Sequence, residues 1–95
     1  MSERLFYLLT YDIADPKRLV KIAKIMESIG ERVQDSVFEA YLNEEELKRI
    51  LKRVERVMVM EEDSLRIYLI CAACRMKIRC VGVGKVTSPP GVRIV

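Results

Sequence analysis

The run LFYLLTYDI (Leu5–Ile13), followed by ADPKRLVKIAKIMESIG (14–30), decides the fold. The first part is apolar and of strand length, and it breaks at Asp15-Pro16. Asp followed by Pro is a helix start: the carboxylate accepts hydrogen bonds from free backbone N–H groups, and Pro suits the first helical position. Leu19, Ile22, Ala23, Met26 and Ile29 then recur at helical spacing, and Gly30 stands where a left-handed residue ends a helix.

Arg32 to Leu42 is rich in Val, Phe and Tyr without helical period, with Asp35-Ser36 as a bulge or tight turn inside it, so it reads as one bent strand or two short ones. Asn43 with Glu46 forms a capping box, and Leu47, Ile50, Leu51, Val54, Val57 and Met58 trace the apolar face of a second helix. Glu61-Glu62-Asp63 is a polar break before Leu65 to Ile70, where apolar Leu65, Ile67 and Leu69 alternate with Arg66 and Tyr68. Ile78 to Val86 reads as a further strand loosened by Gly82 and Gly84, and Pro89-Pro90-Gly91 precedes a short tail, Val92 to Val95. This order predicts an α+β fold, a ferredoxin-like β-α-β-β-α-β sandwich with an additional C-terminal strand. Its helices cover one face of the sheet, and the bare face invites a second copy of the chain.

A chain of 95 residues with 51% hydrophobic content closes a single core, here a single domain over 1–95. No stretch approaches the ~18 to 20 apolar residues of a membrane span, and Met-Ser-Glu-Arg before Leu5 lacks a signal-peptide layout, so a soluble cytoplasmic protein is expected. Seventeen basic against fourteen acidic residues leave +3, too little for the total alone to establish nucleic-acid binding. Histidine is absent, which excludes His-based triads.

Asp12 shares a side of the first strand with Leu8 and Thr10. A carboxylate at the end of so apolar a strand reads either as a hard-cation ligand or as a loop-facing Asp bonded to backbone N–H groups. As a ligand it needs a second oxygen donor, which a two-fold axis near the strand end would supply as a second Asp12. Asp15 reads as a helix cap. Arg18, Lys21 and Lys24 on the first helix, Arg32 after it, and Arg49, Lys52, Arg53 and Arg56 on the second helix form basic stripes. These either track a phosphate backbone or are solvated faces partly countered by Glu44, Glu45 and Glu55. Cys71-Ala-Ala-Cys74 with Cys80 has a spacing open to zinc or dithiol chemistry, but buried or half-buried structural thiols are the reading favoured, with an intracellular disulfide as a variant. Gly82-Val83-Gly84 lacks the third glycine and the helix of a phosphate loop.

The ordered set Tyr11-Asp12-Ile13 with Asp15, Arg32-Val33-Gln34 with Ser36-Val37-Phe38-Glu39, and Asp63-Ser64-Leu65-Arg66-Ile67-Tyr68 resembles the small CRISPR-associated Cas-two family over residues 5 to 84. The resemblance implies a ferredoxin-like homodimer in which paired Asp12 carboxylates hold Mg2+ (or Mn2+). It also implies Arg32 and Phe38 near the catalytic cleft, Gln34 and Ser36 as polar helpers, and Arg18 and Lys21 as approximate matches to nucleic-acid contacts. Family members have been described as metal-dependent endonucleases on single-stranded RNA or double-stranded DNA, and as non-catalytic bridges holding DNA in the CRISPR integrase of the Cas-one family. A tail over 87–95 that docks on that partner is a further expectation. A metal-sensing or small-molecule regulatory domain on the same fold is the remaining class.

Overall fold

A computed structural model describes residues 3–88. Strand β1 (Leu5–Asp12) leads into helix α1 (Pro16–Glu27), a hairpin of β2 (Glu31–Gln34) and β3 (Val37–Leu42), helix α2 (Glu44–Val57), strand β4 (Ser64–Ile70) and a single-turn helix α3 (Ala72–Arg75). The sheet order is β2-β3-β1-β4, and β1 runs antiparallel to both of its neighbours. This is the expected ferredoxin-like α+β sandwich.

Parity along β1 assigns the two faces. Tyr7, Leu9, Tyr11 and Ile13 join Phe38, Ala40 and Leu42 of β3, Ile22, Ile25 and Met26 of α1, and Ile50 and Val54 of α2 in one buried cluster. Both helices therefore cover the same face. The other face carries Leu8, Thr10 and Asp12 with their cross-strand partners Glu39, Val37, Tyr68, Arg66 and Ser64, and it stays partly or fully exposed. At one end Phe6 is closed off on this face: it packs tilted against Tyr41, and the Arg75 guanidinium lies 5.6 Å from its ring.

Both helix starts form as their residues dictate. The Asp15 carboxylate accepts from the Arg18 N–H with Pro16 following it, and Asn43 and Glu46 close a reciprocal capping box. Arg4 donates twice to the Glu46 carboxylate, tying the start of the chain to α2. The end of α1 differs from expectation: Gly30 is not left-handed, and Ser28 caps the helix with ordinary helical geometry. Glycine is needed at position 30 for another reason, because a Cβ there would collide with the Glu39 carbonyl oxygen. Asp35-Ser36 is a tight turn joining β2 to β3, with Ser36 at φ 146°, a strained value for a residue with a side chain; the register slip lies just before it, between Arg32 and Gln34.

Two expectations at the C-terminal end are corrected. Ile78 to Val86 forms no strand within this chain; it runs as irregular backbone with Val81 and Val83 fully exposed. The cysteines are not buried: Cys71, Cys74 and Cys80 are all exposed, and Cys71 and Cys74 open α3. Tail residues 92–95 and the Pro89-Pro90-Gly91 link lie outside the described residues. Among the described residues no helix is long and apolar enough to cross a membrane.

The polar break before β4 conceals the fold's main polar tie. The Asp63 side chain is fully removed from solvent and accepts from the backbone N–H groups of Ala14 and Val59, while Arg18 donates to both of its oxygens at 2.8 and 3.1 Å. The Arg18 guanidinium, then the Val59 N–H, holds this carboxyl far below the usual carboxylate range. A depressed carboxylate stabilises the fold above its unfolded value of ~3.9, and that contribution is lost as pH falls from there toward the folded value. Urea titrations should therefore show Asp63→Asn far less stable than the native chain at pH 7, with the gap closing below about pH 4. The exposed-pair control Arg4→Gln should change little at either pH, and equal midpoints for Asp63→Asn and native protein at pH 7 would refute the assignment.

Candidate functional site

The C-terminal end of β1 gathers the sequence motifs. Tyr11 N–H donates to the Ser36 carbonyl, bringing the β2–β3 turn against the strand end, and Asp12 pairs in register with Ser64, the residue after Asp63. Asp12 is exposed, and its carboxylate makes no hydrogen bond or ion pair among the described residues. The alternative reading, in which backbone N–H groups satisfy this carboxylate, is not what the structure shows. In this loop Ala14 N–H donates to Asp63 instead.

Arg32 and Phe38 are neighbours but stand apart from Asp12. They face each other across the β2–β3 pair, the guanidinium carbon lies 5.3 Å from the Phe38 ring centre, and Arg32 also donates to Glu27 at 3.1 Å. Because Phe38 belongs to the helix-side cluster, Arg32 stands on that side of the sheet while Asp12 stands on the bare side. Phe38 is 0% exposed and its ring stacks on Tyr11 at 6.2 Å. A side chain so placed supports the Arg32 guanidinium from beneath and exposes no surface of its own in the single chain.

Tyr11 completes this group and was not foreseen as a site residue, although it adjoins Asp12 in the first motif. Burial pushes its phenol above the ordinary value, and the Arg32 charge opposes the shift. Gln34 is exposed and Ser36 half-buried in the adjoining strand and turn.

The basic stripes divide. Arg18 is committed to Asp63 and Glu62 through Nε and Nη2, so most of its hydrogen bonding is engaged within the fold. Lys21, Arg49, Lys52 and Arg53 are exposed and enter no ion pair among the described residues. Lys52 and Arg53 follow Arg49 by one helical turn, so the charges run along the solvent side of α2, opposite Ile50 and Val54.

Among the described residues no group of three or more Cys, Asp or Glu is arranged to hold a metal. At this strand end the Asp12 carboxylate is exposed, and Asp35 in the adjoining turn is a second exposed carboxylate. Asp12 can serve as one oxygen ligand of a hard divalent cation.

A family model described as CRISPR associated protein Cas2 matches residues 5–78. The CRISPR-associated endoribonuclease Cas2 1 of Chloroflexus aurantiacus is 43% identical over 81 residues, covering 84% of this chain and 87% of the relative. The CRISPR-associated endonuclease Cas2 2 of Thermus thermophilus is 39% identical over 95 residues, with both chains covered in full. A chain in the solved structure of a partial Cas6-RT-Cas1–Cas2 complex superposes with a TM-score of 0.70 at 26% identity, covering 81% of this chain and 90% of that one.

The division between core and surface at the strand end is measurable. Phe38→Ala should cost about 3 to 5 kcal/mol of unfolding free energy through the cavity it leaves. Arg32→Ala, which removes an exposed charge resting on that ring, should cost below about 1 kcal/mol. Chemical denaturation of the two variants checks this, and comparable losses would mean that Arg32 is a structural element.

Proposed function

The chain belongs to the CRISPR-associated protein Cas2 family, and from that premise we propose that it is a cytoplasmic adaptation protein acting as a homodimer with metal-dependent endonuclease activity. The observation that carries the catalytic part is the exposed, unpartnered Asp12 carboxylate on the bare face of the sheet. A second copy covering that face brings its own Asp12 to the same strand end. The half-buried Leu8 and Val37 and the exposed Tyr68 on that face favour such a cover. Exposed Val81 and Val83, two residues apart, give Ile78 to Val86 the alternation of a strand awaiting an edge, and β4 offers one.

The two Asp12 carboxylates would hold Mg2+ or Mn2+; a divalent ion there supplies charge against the phosphate and acidifies a bound water. The chain's own residues contribute orientation and charge. Asp63 fixes the loop that follows Asp12, the Ser36 carbonyl fixes the backbone of Tyr11, and Arg32, resting on Phe38, lends positive charge to a phosphate passing round the strand end.

The relatives' names include both endoribonuclease and endonuclease, so RNA and DNA both enter the test. Labelled single-stranded RNA and duplex DNA incubated with Mg2+, Mn2+ or EDTA should be cut only with metal. Asp12→Ala should reduce cutting to background while the variant folds and dimerises normally, and unchanged cutting by Asp12→Ala would sink the proposal.

A second reading, a non-catalytic bridge holding DNA in a complex with the CRISPR integrase of the Cas-one family, is favoured by the unpaired cations of α2. The solved complex containing a Cas2 chain points the same way. The expected tail over 87–95 would serve this complex by adding an edge strand to the partner. Under this reading duplex binding falls steeply with salt, and alanine at Arg49, Lys52 or Arg53 each lowers the slope of log affinity against log salt by about 1, without regard to sequence. Slopes unchanged by all three replacements would assign DNA contact to another surface.

A further inference from the structure

Cys71 and Cys74 take no part in the function proposed above, yet the structure arranges them for chemistry. Cys71 is the residue preceding α3 and Cys74 lies within its single turn, so the two side chains stand on one side of that turn. The Cys74 N–H points at the Cys71 sulfur at 3.4 Å. Both residues are exposed. In sequence this pair follows an apolar strand with no helix in view; in the structure a single helical turn, Ala72–Arg75, brings Cys74 back over Cys71.

We propose that Cys71 and Cys74 form a thiol–disulfide exchange site that reacts with a small-molecule disulfide and closes to an intramolecular bridge. Hydrogen bonds from Cys74, its backbone N–H foremost, hold the Cys71 thiol below its usual range, and the hydrogen bond to Cys71 holds the Cys74 thiol above it. Cys71 is accordingly the attacking sulfur and Cys74 the resolving one. The Cys71 thiolate attacks one sulfur of the disulfide; the other sulfur leaves as a thiolate and takes up the proton released by Cys71. The Cys74 sulfur, losing its own proton, then attacks the Cys71 sulfur and expels the second thiolate, which is protonated in turn. The pair is oxidised by two electrons and the small disulfide is reduced to two thiols.

The bridge would act on more than two residues. Arg75 follows Cys74; its guanidinium lies over the Phe6 and Tyr41 rings and donates to the Thr87 carbonyl at 3.0 Å. Closing the bridge fixes the turn that carries Arg75, and with it the path by which residues 76–88 leave the sheet.

The test uses the full reduced chain at pH 7 with oxidised glutathione, followed by intact mass and peptide mapping. The expected product is lighter by about 2 Da with Cys71 linked to Cys74, and it forms equally in Cys80→Ala. In Cys74→Ser the reaction should stop at a glutathione adduct on Cys71, and Cys71 should be alkylated by iodoacetamide about tenfold faster than Cys80. A persistent adduct on the native chain, a bridge to Cys80 or between chains, or equal alkylation of Cys71 and Cys80 would overturn the assignment. Slower amide exchange from Arg75 to Thr87 in the bridged form is expected; identical exchange in both forms would overturn the coupling to the C-terminal segment.

Discussion

The carboxylate of Asp63 is the tie on which the arrangement of this small domain depends. Buried with no solvent contact, it is held by two backbone N–H groups and one guanidinium, and these come from three separate parts of the chain: the loop after β1, the exit from α2, and α1. A buried ion is tolerated only when its hydrogen-bonding capacity is filled, so the three segments cannot drift apart singly without exposing an unpaired charge to the core. Hydrophobic packing of the helices against Leu9 and Phe38 provides the driving force, but it is non-directional. The directional constraint lies at Asp63, and it sets where β1 ends and β4 begins.

That constraint reaches the candidate site. Asp12 pairs with Ser64, the next residue after Asp63, and Ala14, two residues past Asp12, donates to the same carboxylate. The exposed carboxylate thus projects from a strand end held on both sides by one buried carboxylate. The two acidic residues take opposite roles through environment alone. Asp63 has every acceptor filled by groups that favour its charge, and Asp12, in solvent, has its acceptor capacity free for an external cation.

Local determinants were legible in the sequence and long-range ones were not. The cap at Asp15, the capping box at Asn43 and Glu46 and the α2 apolar face each depend on residues within about one or two turns and stand in the structure as read, and the alternation of β4 holds through Ile67 but breaks at the exposed Leu69. Asp63 passed as part of a polar break because its partners Ala14 and Arg18 lie 49 and 45 residues away, beyond any periodicity. Arg18 was read as a free cation for the same reason. Gly30 was rightly singled out but for the wrong property, since a close approach to Glu39 is a tertiary fact. Phe38 was legible as part of a motif, while its burial beneath Arg32 followed from strand parity once the register was known. The strand expected over Ile78 to Val86 fails within one chain because alternation specifies a compatible segment and not the edge that must pair with it.

The separation of Asp12 from Arg32 bears on how much chemistry one copy can hold. A sheet about one residue thick puts successive side chains on opposite faces, so a carboxylate on the bare face and a guanidinium on the helix face meet only at the strand end, never across the sheet. Among the described residues no group of three or more Cys, Asp or Glu is arranged to hold a metal, and Glu39, on Asp12's face, is engaged by Thr87. On the proposed reading a centre built on Asp12 gains its second carboxylate from a second copy of the chain. The same face that carries Asp12 is the one left without helices, and a two-fold arrangement there satisfies both needs at once: it covers the apolar side chains and doubles the carboxylate. On the proposed reading, dimerisation and metal binding both follow from one feature, the sheet face that the described helices leave bare.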